Sequence, residues 1–98
     1  MPNHNQQAPR LIALQGEVLQ GEVTGPASSL LRVELFGNAE GNGTEAEQYL
    51  GEVLVNSDQD GKAKFAQTLE NAGQLRSFTA TVTTADGATS ELSQPLHR

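Results

Sequence analysis

Between Gly51 and Leu92 the chain carries three segments of alternating apolar and polar residues, separated by aspartate-glycine reversals. Gly51-Glu52-Val53-Leu54-Val55-Asn56 precedes the reversal at Asp60-Gly61. Lys62-Ala63-Lys64-Phe65 follows it, and Ser77 to Thr84 precedes the next reversal at Asp86-Gly87. A period of two places one set of side chains on each face of a pleated strand. Asp-Gly supplies a residue that tolerates positive φ where the chain must turn back. A chain built this way folds by stacking antiparallel strands, and the pattern predicts a β-sandwich.

The rest of the sequence extends the pattern. Leu11 to Leu14 reads as a first edge strand. Residues 17–24 follow with Leu19, Gly21 and Val23 on one face, and Gly25-Pro26 breaks the run. Leu30 to Phe36 has Leu31, Val33 and Leu35 on one face and Arg32 and Glu34 on the other. Gln48 to Asn56 turns Val53 and Val55 inward; Leu50 is out of phase with them, which predicts a bulge at Gly51. Residues 62–69, 76–84 and 88–93 complete about seven strands, with Leu92 inward in the last and Pro95 ending it. The expected core is Leu31, Val33, Leu35, Val53, Val55, Phe65, Phe78, Ala80, Val82 and Leu92. Residues 1–9 carry two prolines and several amides and read as a disordered leader. The sandwich domain is expected over residues 10–96, with its termini at opposite ends.

At 98 residues the chain has the size of one domain and no cysteine to staple it. Its net charge of −6 repels phosphate backbones and anionic membrane surfaces, and its six Lys and Arg residues are scattered. Nucleic-acid binding is therefore not expected. No apolar run reaches the ~20 residues of a membrane span.

A resemblance joins these segments. Leu19-Gln20-Gly21-Glu22-Val23-Thr24-Gly25, Val33-Glu34-Leu35-Phe36-Gly37-Asn38, Tyr49-Leu50-Gly51-Glu52-Val53-Leu54-Val55 and Asp60-Gly61-Lys62-Ala63-Lys64-Phe65 occur in that order. Thr79-Ala80-Thr81-Val82-Thr83 and Asp86-Gly87-Ala88-Thr89-Ser90-Glu91-Leu92-Ser93 follow. From Leu19 to Ser93 this resembles the immunoglobulin-like modules of large bacterial surface and secreted proteins. The resemblance implies an immunoglobulin-like antiparallel β-sandwich, an extracellular or cell-surface location and a non-catalytic structural or adhesive role. Its implied partners are neighbouring modules of the same polypeptide, or a protein or carbohydrate ligand.

Few residues offer chemistry. His4 and His97 fall in the two tails, so no histidine-based triad is expected, and the acids fall in turns and solvent-phase positions. No enzyme is expected on these grounds. Asp58, Asp60 and Asp86 are candidate calcium ligands. Calcium wants roughly six to eight oxygens, however, and Lys62, Lys64 and Phe65 follow Asp58-x-Asp60-Gly61 where a further acid would be needed. The competing reading is a plain turn in which aspartate caps its own backbone, so no cofactor is required. The loop over residues 37–48 is the candidate recognition loop, with Asn38, Glu40, Asn42, Glu45, Glu47 and the adjoining Tyr49 as its binding residues. A carbohydrate-binding platform would have to come from Tyr49 and Phe36. The row Thr79, Thr81 and Thr83 reads as an exposed face of high β-propensity.

Overall fold

A computed structural model describes residues 6–39, 48–70, 73 and 75–97. Seven strands run β1 (Arg10–Gln15), β2 (Val18–Thr24), β3 (Leu30–Asn38), β4 (Gln48–Asn56), β5 (Lys62–Thr68), β6 (Ser77–Thr84) and β7 (Leu96–His97). They form a three-stranded sheet ordered β1-β2-β5 and a four-stranded sheet ordered β4-β3-β6-β7. All strand pairs are antiparallel, and no helix occurs among the described residues. The molecule is an all-β sandwich.

The two sheets face each other across a core of Leu19, Val23, Leu31, Val33, Leu35, Phe65, Phe78, Ala80 and Val82, closed at one end by Leu69 and Leu75. Alternation produces this directly: β2 and β3 bury every second residue, the inward set coming from Leu19 and Leu31 onward. Val53 and Val55 point inward but stay half-buried, because β4 is an edge strand. The bulge lies where the phase change placed it. Leu35 pairs with Gly51 and Phe36 with Tyr49, so Leu50 is the extra residue, and Gly51 takes a φ of 129°.

The last predicted strand is different. Residues 88–93 run back along β6, but only Thr89 forms a bridge, to Thr83. The serine hydroxyls explain the departure. Ser90 donates its N–H to the Val82 carbonyl at 2.9 Å, and its Oγ accepts the Val82 N–H at 3.0 Å. Ser93 does the same with Ala80, at 2.8 and 2.9 Å. Side chains thus occupy places that a strand's carbonyls would take, and the backbone is freed from regular pairing. Leu92 is consequently only half-buried, while Ala88, Ser90 and Ser93 are the buried members of the segment. Pairing resumes after Pro95, in β7, where Leu96 and His97 join Phe78 and Ser77. His97 is thereby a strand residue and not part of a free tail.

Strand directions give the molecule two distinct ends. Arg10, Thr24, Leu30, Asn56, Lys62 and Thr84 lie toward one end; Gln15, Asn38, Gln48, Thr68, Ser77 and His97 lie toward the other. The chain enters β1 at the first and leaves β7 at the second. Of the expected leader, residues 6–9 are described. The Gln6 amide donates to the Thr24 carbonyl, Gln7 Oε1 accepts the Thr24 hydroxyl at 3.0 Å, and Pro9 is buried. Residues 1–5 lie outside the described set.

Candidate functional site

The entry end is bound together by two loops. Gly25 N–H donates to the Gly61 carbonyl, Ser28 N–H to the Asp58 carbonyl and Ser57 N–H to the Ser29 carbonyl, each at 2.8 Å. Ser57 is the pin. It is 7% exposed, its Oγ donates to the Pro26 carbonyl at 2.6 Å, and it accepts the Ser29 N–H at 2.9 Å. The loop after β2 is thus locked to the loop before β5, which ties the two sheets together at that end. Ser57 and Ser28, with a φ of 51°, carry no periodic or motif signal, and sequence reasoning did not single them out.

Asp58 belongs to the same lock. Its Oδ1 accepts the N–H groups of Asp60 at 2.8 Å and Lys62 at 2.9 Å. Those bonds, that from Lys62 first, favour the ionised form and hold its carboxyl below the ordinary value. Asp60 offers the next carboxylate but no bond to the turn is formed by its side chain in that way. Asp86 sits in the other sheet's reversal, where its Oδ1 accepts the Thr84 hydroxyl and, at 3.4 Å, the Ala88 N–H. Among the described residues, no group of three or more His, Asp or Glu side chains comes together in a way that could hold a metal ion. The Asp58 and Asp86 carboxylates accept backbone N–H groups in two separate reversals.

Of the candidate recognition loop, Glu40, Asn42, Glu45 and Glu47 lie outside the described residues. Asn38 and Tyr49 flank them. Asn38 is buried at the end of β3, where its carbonyl accepts the Arg76 N–H at 2.9 Å. Tyr49 is 55% exposed on the outer face of the four-stranded sheet and packs on Phe36 with ring centroids 5.8 Å apart and planes at 60°. Two rings tilted in this way stabilise each other. Desolvation of the part seated against β3, then the carboxylates of Glu34 and Glu52, raise the Tyr49 phenol above its ordinary value; Arg32 works against them.

The same outer face carries Leu30 and Leu54, 48% and 56% exposed. With Arg32 and Thr83 they line a shallow groove of about 290 Å³. The threonine row is less open than its pattern suggests. Thr79 and Thr83 are buried, and the Thr83 hydroxyl lies 2.9 Å from that of Thr89. The neighbours that cover Thr83 come from the irregular segment 88–93, which the alternation did not anticipate.

No family model matches the chain. It is 42% identical over 95 residues to a 3-dehydroshikimate dehydratase of Acinetobacter baylyi, an alignment that takes in 95% of this chain and 18% of that protein. Almost the whole sandwich is thus related to a stretch of an enzyme, and it spans less than a fifth of that relative's length.

Proposed function

We propose that this chain is a non-catalytic structural spacer module of a bacterial extracellular or cell-surface protein, holding neighbouring parts of one polypeptide at a set separation. The observation that carries this reading is the path of the chain. It enters at one end of the sandwich and leaves at the other, and the entry end is locked by the Gly25–Gly61, Ser28–Asp58 and Ser57–Ser29 bonds. A module with that path transmits position along its strands. The relationship to 18% of a dehydratase fits a module joined to a larger body that carries the chemistry.

Three experiments test the reading. Fluorophores attached at Arg10 and His97 should report a single narrow separation by energy transfer, unchanged by load from fused neighbours; a broad distribution would sink the spacer. Incubated with 3-dehydroshikimate, the chain should leave the substrate unconsumed, and catalysed turnover would show that the chemistry resides here. Melting in chelator and again in millimolar calcium should give the same midpoint, since the Asp58 Oδ1 is already committed to backbone donors. A clear rise with calcium would replace the plain spacer with a calcium-stiffened one.

A further inference from the structure

The β1–β2 ladder stops short of the end of β2. Its first pair is Arg10 with Glu22, and Pro9 has no N–H to carry the pairing further. Thr24, the last residue of β2, therefore has Lys62 of β5 on one side and no β1 residue on the other. Side chains from the residues before β1 take that open side. The Gln6 amide donates to the Thr24 carbonyl and, at 3.1 Å, to the Gln7 carbonyl. Gln7 Oε1 accepts the Thr24 hydroxyl at 3.0 Å, and Pro9 is buried.

These bonds run into the lock at the entry end. Gly25 follows Thr24, its N–H donates to the Gly61 carbonyl at 2.8 Å, and Gln6 Oε1 lies beside it, 3.5 Å from where a Cβ on Gly25 would stand. Through Ser28 and Ser29 the same loop is bonded to Asp58 and Ser57, in the chain between β4 and β5. Residues 6–9 thus tie into both sheets while pairing with neither. On its other flank the segment looks across a groove of about 550 Å³ to Glu91, Leu92 and Gln94. Among the described residues no hydrogen bond crosses that groove, so the hold comes from the Thr24 side and from Pro9.

We propose that residues 6–9 are a docked strap that fixes the course by which the chain enters the sandwich, so that the rigid part of the module begins at Gln6 and not at Arg10. Use of the strap as a stiff joint to a preceding part of the polypeptide rests on the spacer reading; the docking itself does not. The chemistry of the strap is directional. At Gln6 it needs a donor, because the group it meets on Thr24 is a carbonyl. At Gln7 it needs only an acceptor, because the group it meets is a hydroxyl. A carboxylate can accept but not donate, so it breaks the first bond and keeps the second. A segment held by two side-chain bonds and one buried ring opens locally, well below the cost of global unfolding. Melting is therefore blind to it, and backbone dynamics are the proper readout.

Amide relaxation by NMR tests the strap. In the native chain the Gln7 and Ala8 amides should have order parameters of about 0.85, like those of β2, and the Gln6 side-chain amide should show nuclear Overhauser contacts to Thr24 and Gly25. Gln6→Glu should lower both order parameters below about 0.6 and leave the β2 and β3 amides as they were. Gln7→Glu should leave the strap rigid, whereas Gln7→Leu, with no acceptor, should loosen it. Order parameters below about 0.6 at Gln7 and Ala8 in the native chain overturn the proposal. So does a strap that stays rigid in Gln6→Glu, or one that Gln7→Glu loosens as much as Gln6→Glu does. The separation between Arg10 and His97 is measured inside the sandwich and does not depend on the strap. A broad distribution there with rigid Gln7 and Ala8 sinks the spacer and keeps the strap; a narrow one with mobile Gln7 and Ala8 does the reverse.

Discussion

The two aspartate-glycine reversals share a dipeptide and diverge in outcome. After Asp60-Gly61 the chain crosses to the other sheet and forms β5, in unbroken register with β2 from Thr24–Lys62 to Val18–Thr68. After Asp86-Gly87 it turns back on its own sheet and pairs irregularly, through serine hydroxyls. Both glycines take positive φ, 81° and 96°. What differs is the surroundings. Gly61 lies against the Gly25 loop, so that a Cβ there would fall 2.1 Å from the Gly25 carbonyl oxygen, whereas a Cβ at Gly87 would meet nothing within 4 Å. The first turn is an internal joint between sheets, and the second is an exposed corner. The same local signal does a tertiary task in one place and a local one in the other.

The sharpest way to break this contrast is Gly61→Ala. It combines a backbone conformation that alanine resists with a collision against main chain, which cannot rotate away. The expected cost is about 4 kcal/mol or more, enough to unfold much of the population of a domain this size. Urea unfolding with fluorescence or circular dichroism reads it. A loss below about 1 kcal/mol would mean that the two loops are not locked.

Next in size come the serines. Ser90→Ala and Ser93→Ala each leave a buried backbone N–H, that of Val82 or Ala80, without its acceptor. Each should cost about 1–3 kcal/mol. The amide hydrogens of Val82 and Ala80 should also exchange faster, each in its own variant. Unchanged protection at these amides would show that the segment pairs through its backbone, as an ordinary strand.

These residues mark where the sequence stops being legible. Alternation identifies a strand when side chains only choose a face, as Leu31, Val33 and Leu35 do. It misreads Thr89 to Ser93, because hydroxyls that bond backbone groups look the same as hydroxyls that face water. Leu75, 4% exposed, was missed for a related reason: it sits in the irregular connection before β6, where no period marks the inward direction. Tyr49 and Phe36 were recognisable as the available aromatics, but their contact depends on the bulge that sets Tyr49 opposite Phe36. Asp58 was legible as a turn cap, since an aspartate two residues before Asp60-Gly61 has backbone donors in reach. Leu11 to Leu14 was legible as an edge strand, and β1 does end its sheet; that β4, β5 and β7 form the other edges was not, because pairing order is decided by long-range packing and leaves no trace in a period of two.

Gly87→Ala sharpens the comparison from the other side. With open space around it, alanine there meets only the cost of its φ, about 1–2 kcal/mol. The ratio between the two glycine variants, and not either value alone, measures how much of the first turn's importance comes from the neighbouring loop.

The smallest effect is a pH dependence tied to Asp58. Its carboxylate is ionised in folded and unfolded chains at neutral pH, and only the folded chain offers it the Asp60 and Lys62 N–H groups. The folded pKa therefore lies below the ordinary 3.8. The sign follows from linkage: the stabilisation is complete above the unfolded value and is lost as pH falls through the folded one, because the unfolded chain takes up the proton first. Asp58→Asn keeps the shape of the cap and an oxygen acceptor but cannot titrate. The stability difference between the native chain and this variant should be constant from neutral pH down to about the unfolded value and then shrink as the solution becomes more acid. A difference that stays constant through that acid range would place the Asp58 charge outside the lock, leaving Ser57 as its only side-chain pin.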